Sequence, residues 1–195
     1  MPDNFDDIAQ PVLDYQLQPV ITLTIIKLET REFILRFLLL AAGIIFLDQW
    51  SKWLVMGRLA EGQSLQLVEN IFYLTYVRNP GAAFGMLPYR TTFFVVVTIL
   101  VMVGIFLLFR YIPDDRIMLK YGLSLQAGGA IGNFIDRLRF GHVIDFFDLR
   151  FWPVFNIADV AIVLGVGILI VQLLKSDSRT PGEAGRLPRE ETSDS

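Results

Sequence analysis

The chain has 195 residues, 53% of them hydrophobic, a mean hydropathy of +0.50 and a formal net charge of −3. So apolar a composition excludes an ordinary soluble domain and points to an integral membrane protein. No basic run suits a nucleic-acid partner, the lack of cysteine excludes disulfides and thiolate metal sites, and a single histidine, His142, speaks against a histidine-ligated metal; no metal and no cofactor is expected.

In chain order, residues 1–32 come first, carrying Asp3, Asp6, Asp7 and Asp14 and a β-branched run, VITLTII, at 20–26. The run is too short to span a bilayer and lacks the basic start and small-residue cleavage site of a signal peptide. This segment is expected to be a cytoplasmic, partly disordered N-terminal extension. A membrane-spanning helix needs about 20 largely apolar residues, and four stretches qualify: about 33–54, 91–109, 117–136 and 155–174. The first is expected to serve as an uncleaved export signal. The third is the weakest, with Lys120, Gln126, Asn133 and Asp136 inside it, and an interfacial helix is its alternative reading.

Between the first two spans lies segment 56–90, where SLQLV (64–68) and FYLTYV (72–77) alternate around Glu69, Asn70 and Ile71, the pattern of a β-hairpin. A further extended piece at 143–155 is expected to join it. The basic residues, those of the 110–120 loop above all, lean towards an orientation with both termini in the cytoplasm. The expected architecture is an all-α membrane protein. Four transmembrane helices fill 33–175, under a small β-sheet and loop cap on the outer, periplasmic face. Trp50, Trp53, Tyr73, Tyr76 and Trp152 are candidate interface anchors. Residues 176–195, polar and containing proline and glycine, are expected to be a disordered cytoplasmic tail.

Consecutive spans alternate direction, so the end of the first, the start of the second, the end of the third and the start of the fourth share one face. The polar residues gather there. In DQWSK, Asp48 and Lys52 stand at i and i+4 on one helix face, the spacing of an inward-facing ion pair. NPGAAFG (79–85) reads as a turn followed by small residues, with Asn79 able to serve either the turn or a substrate. In GGAIGNFIDR (128–137) the Gly128/Gly132 pair permits close helix approach, and Gly129, Asn133 and Asp136 form one stripe beside Arg137. VIDF and FNIAD supply Asp145, bracketed by Val143, Ile144, Phe146 and Phe147, and Asp159, one turn into an apolar span after Asn156. Two carboxyl groups sharing a poorly solvated site cannot both ionise easily, which yields an acid and a base at neutral pH. Asp148 is expected to be an ordinary surface acid and His142 a loop residue.

These five motifs, in this order, resemble the lipoprotein signal peptidase (signal peptidase II) family of aspartic peptidases, over residues 33–174. The resemblance implies that Asp145 and Asp159 form the catalytic pair. It further implies supporting roles for Asp48, Lys52, Asn79, Gly129, Asn133, Asp136, Arg137 and Asn156. It implies a bacterial cytoplasmic membrane enzyme that removes signal peptides from diacylglyceryl-modified prolipoproteins, cutting before the lipidated cysteine. The partners so implied are the lipidated signal peptides and membrane lipids, and a monomer is expected. The N-terminal extension and the C-terminal tail have no counterpart in the family core. A proton-coupled transporter using the same carboxylates is the alternative, but the acid-free and base-free stretch 91–109 and the lack of an internal repeat count against it.

Overall fold

The computed structural model describes the backbone of residues 5–81, 90–113 and 115–177, and side chains within 32–81, 90–113 and 115–175. It is mostly helical. Helix α1 runs Phe5–Arg58, α2 Thr91–Tyr111, α3 Ile117–Phe140 and α4 Ile157–Asp177; strands β1 (Ser64–Val68), β2 (Phe72–Asn79) and β3 (Val143–Asp148) complete the fold. Helix α1 begins well before the predicted span, so 5–32 continues the same helical backbone. The predicted disordered tail lies mostly outside the described residues, as does most of NPGAAFG.

Among the described residues three helices are long and apolar enough to cross a membrane: Glu32–Arg58, Thr91–Tyr111 and Ile157–Lys175. Between their ends the outward residues are mostly hydrocarbon. Helix α2 exposes Phe93, Val96, Ile99, Leu100, Val103 and Phe106 and buries only Ile105. Helix α3 is the opposite case. It packs against α1, α2 and α4 and buries Leu119, Lys120, Leu123, Ser124, Asn133 and Asp136 among others. A helix enclosed by protein is released from the apolar requirement that lipid imposes on its neighbours, and this accounts for its weak hydropathy.

Glycine sets the closeness of that packing. A Cβ on Gly129 would collide with the Ala158 carbonyl oxygen, and Gly122 and Gly165 face each other's carbonyl oxygens across the same interface. Helices α3 and α4 therefore cross nearly backbone to backbone, as small residues allow in a bilayer where apolar burial alone supplies little association.

The sheet has the order β1-β2-β3 and is antiparallel throughout. The predicted hairpin is present, turning at Asn70 with φ of 57°, a left-handed conformation that asparagine tolerates. The 143–155 piece supplies β3, paired so that Asn79 opposes Val143 and Val77 opposes Asp145. A core of Val55, Tyr76, Ile144 and Phe146 welds the sheet to the end of α1. Of the candidate anchors Trp50, Trp53 and Trp152 are exposed, but Tyr76 is buried, its hydroxyl accepting from Arg78 Nε at 3.0 Å. Its alternation in β2 points it towards the helices and not towards lipid.

Candidate active site

Strand β3 and the first turn of α4 carry the two aspartates, and the intervening loop is short because it folds on itself. Phe147 and Phe155 exchange backbone hydrogen bonds of 2.7 and 3.0 Å, which returns the chain to β3 just as α4 begins. Asn156 then caps α4. Its Oδ1 accepts from the Asp159 amide at 2.9 Å, while Asp159 Oδ2 accepts from the Asn156 amide at 3.2 Å. This reciprocal arrangement is a capping box, and it fixes the rotamer of Asp159 by purely local chemistry.

A second acid completes the cap from far away in sequence. Asp48 Oδ1 accepts from the Ala158 amide at 3.0 Å, satisfying another free N–H at the helix start. Its other oxygen meets Lys52 Nζ at 2.8 Å, and the same ammonium reaches Asp136 Oδ2 at 2.7 Å and Asn133 Oδ1 at 3.0 Å. All three ammonium protons thus have acceptors. Gln49, which the sequence reading passed over, donates to Asp136 Oδ1 at 2.9 Å and lies against Asp48 and the Gly132 carbonyl. Asp136 Oδ2 also accepts from the Ile144 amide at 3.1 Å, tying β3 to α3. Asp48, Lys52 and Asp136 are each at most 1% exposed. A buried ion cluster persists only when every lone pair and proton is matched in this way.

Above this cluster the two asparagines bridge the carboxylates. Asn133 Nδ2 donates to Asp159 Oδ1 at 2.8 Å, and its carbonyl oxygen accepts from Asn156 Nδ2 at 3.1 Å. Asn156 Nδ2 in turn donates to Asp145 Oδ1 at 2.7 Å, and Asn79 Nδ2 to Asp145 Oδ2 at 2.8 Å. Asp145 and Asp159 line one cavity of about 280 Å³ together with Asn79, Asn133, Arg137 and the aromatic rim of Trp152 and Phe155. Arg137 stacks its guanidinium over Phe94 at 4.9 Å, with Nη2 3.5 Å from the Gly81 carbonyl oxygen.

Asp145 is 2% exposed. Burial, and then the neighbouring charge of Asp159, push its pKa from the ordinary carboxylate value up to about 7; the amides of Asn79 and Asn156 oppose the rise. Asp145 is therefore poised to hold or release a proton near neutrality.

Of the predicted site residues, Asp48, Lys52, Asn79, Asn133, Asp136, Arg137, Asn156 and the two aspartates fall in one connected region. Gly129 is absent from the cavity wall and acts through helix packing. Asp148 departs from expectation. It is buried, accepting from Thr75 Oγ1 at 2.7 Å and from the Arg150 amide at 2.8 Å. Pairing of β3 with β2 sets Asp148 opposite Tyr73, within reach of the Thr75 hydroxyl. His142 does not line the cavity. Burial first and the charge of Arg78 second depress its pKa.

Two carboxyl groups share one cavity beside the ends of apolar helices, an arrangement compatible with a membrane-embedded peptidase of the aspartic type. Comparison with known proteins narrows the class. The chain belongs to the signal peptidase II family, whose model, described as signal peptidase (SPase) II, matches residues 40–175. The lipoprotein signal peptidase of Moorella thermoacetica is 53% identical over 152 residues, 78% of this chain and 99% of that protein. That of Pelotomaculum thermopropionicum is 44% identical over 142 residues, covering 73% and 93% respectively. A solved structure described as a bacterial membrane enzyme superposes with a TM-score of 0.74 at 32% identity, covering 79% of this chain and 96% of its own. The protein is thus a signal peptidase of the bacterial inner membrane, crossing it more than once, and the transporter alternative has no support.

Proposed function

We propose that Asp145 and Asp159 are the catalytic pair of this peptidase, and that its substrate is a diacylglyceryl-modified prolipoprotein cut on the amino side of the lipidated cysteine. One observation carries the assignment: both carboxylates line a single cavity and are joined through the Asn133–Asn156 amide bridge. The pair shares a proton. The ionised member takes a proton from a water that attacks the scissile carbonyl carbon, while the protonated member donates to the carbonyl oxygen; as the diol collapses and the C–N bond breaks, the proton taken from water passes to the leaving amine and a diol hydroxyl returns its proton to the other carboxylate. The acid and base roles are assigned to the pair and not to either member. Arg137 on the cavity wall offers positive charge to the developing oxyanion, and Asn79, on the edge of β2, helps hold the substrate backbone.

The substrate class rests on position as well as on the relatives' name. The cavity lies where apolar helices end, so a diacylglyceryl group can remain in lipid while the peptide bond reaches the carboxylates. In this reading α3 is the fourth transmembrane span, residues 33–175 form the peptidase domain, and the β-sheet caps its outer face. Residues 1–32 and 176–195 extend into the cytoplasm, and the enzyme works as a monomer among membrane lipids. The test is cleavage of a synthetic diacylglyceryl peptide by purified protein in detergent, beside Asp145→Asn and Asp159→Asn. Both variants are expected to remain folded and inactive. Turnover near the wild-type rate by either one removes the assignment.

A further inference from the structure

An asparagine side chain ends in two groups of nearly the same size, so packing does not say which of them faces a neighbour; donors and acceptors do. Two such amides stand between the carboxylates of the active site, and each is turned by a different means. Asn156 is set locally. Its Oδ1 is taken by the Asp159 amide at 2.9 Å in the cap of α4, which leaves Nδ2 for Asp145 at 2.7 Å. Asn133 lies within α3 and has no cap to turn it. Its Oδ1 accepts from Lys52 Nζ at 3.0 Å and from Asn156 Nδ2 at 3.1 Å, and its Nδ2 donates to Asp159 Oδ1 at 2.8 Å. Reversing that amide would set its N–H groups against an ammonium, which can only donate, and its carbonyl against a carboxylate oxygen. Lys52 has no room to yield: Asp48 and Asp136 hold its ammonium at 2.8 and 2.7 Å, and it is 1% exposed.

From this chain of bonds we infer that Lys52 is a positioning residue for the reaction and acts through Asn133. The ammonium decides which way the amide faces, and the amide then presents an N–H to Asp159 Oδ1. Turned the other way, the Asn133 carbonyl would accept the proton of the pair at that oxygen and hold it in a side bond, away from the substrate. The relay runs from α1 through α3 to α4, so the packing of three helices is registered at one reacting carboxylate. The inference rests on the reading of Asp145 and Asp159 as the catalytic pair. The Lys52 charge also acts on Asp145 directly. The two routes differ in one respect: only the relay needs the Asn133 amide.

Asn133→Asp tests it first. A carboxyl group of the same shape keeps the acceptor that Lys52 and Asn156 bind and replaces the N–H facing Asp159 with an oxygen. Cleavage of a synthetic diacylglyceryl peptide by the purified full chain in detergent is measured as kcat and KM across pH. At neutral pH kcat is expected to fall about 10- to 100-fold. It should recover towards acid pH, where the new carboxyl group is protonated and donates to Asp159, so that the optimum moves down by about one to three pH units. An unshifted optimum, whatever the rate, overturns the relay, because a merely structural acceptor survives in this variant. Lys52→Met, Asn133→Ala and the double variant form the second test, read as kcat of the folded fraction. Loss of Lys52 is expected to cost no further kcat once the Asn133 amide is gone; losses that multiply overturn the relay in favour of the direct charge. Should the Lys52 variants fail to fold, the pH optimum of Asn133→Asp decides alone. Turnover by Asp145→Asn or Asp159→Asn is a separate failure, that of the catalytic assignment, and is read on the same peptide.

Discussion

Two groups of acids sit side by side at one end of this helix bundle. Asp48 and Asp136 are saturated: Lys52, Gln49 and backbone amides occupy their oxygens, and water is excluded. Asp145 and Asp159 also accept hydrogen bonds, but they line an open cavity. The first pair shares one full positive charge, whereas the second is steadied by neutral amides. An ammonium bonded to both carboxylates makes a strut of the first pair; neutral amides fix the second pair in position beside a cavity and so leave chemistry possible.

The comparison is broken most sharply by removing one carboxylate of the open pair. Asp145→Asn or Asp159→Asn is expected to lower the cleavage rate on the order of 10³-fold or more, with no fall in the thermal unfolding midpoint. Initial rates on a lipidated peptide and a melting curve in the same detergent read both. In the saturated group the outcome is reversed in kind. Lys52→Met leaves two buried carboxylates facing each other, and a loss of about 3–5 kcal/mol is expected, seen first as a large fall in the melting midpoint. Retained stability with lost turnover would instead make Lys52 part of the chemistry.

A smaller effect is expected from Gly129→Ala, whose methyl meets the Ala158 carbonyl oxygen. About 1–3 kcal/mol of stability is lost as α4 is pushed away, and turnover falls with it because Asp159 rides on that helix. Thermal unfolding and initial rates, measured together, check it.

The pH dependence sharpens the contrast without disrupting the fold. Asp145 has a folded-state pKa raised from 3.8 to about 7, so the folded protein binds more protons in that window. Stability contributed by this group is full below about 4 and is lost as pH rises through about 7. Asp145→Asn is therefore expected to gain in melting midpoint relative to wild type between about pH 5 and pH 8. Cleavage by the wild type should decline above about pH 7, as the shared proton leaves the pair. The smallest change is Asp148→Asn, which weakens the bond to Thr75 by about 1 kcal/mol and is read as a slight fall in melting midpoint.

Much of the site was legible because its chemistry is written in local spacing. The i and i+4 acid and base of α1, the asparagine and aspartate three apart at the start of α4, and the alternation of 64–68 and 72–77 each follow from helix or strand periodicity. Gathering the polar residues on one face needed only the alternation of spans. Asp148 was misread because strand alternation does not reveal that Thr75 waits beneath it. Gln49 was passed over because its partners, Gly132 and Asp136, lie on another helix.

By itself, then, the sequence determined a helical membrane protein, its hairpin and the acids of the candidate site, since hydropathy and period are properties of neighbours along the chain. Tertiary structure alone decided which acids became struts and which stayed open to a cavity. That division depends on where Lys52, Asn133 and Asn156 meet, and hydrogen-bond partners drawn from distant segments exist only once the helices have packed.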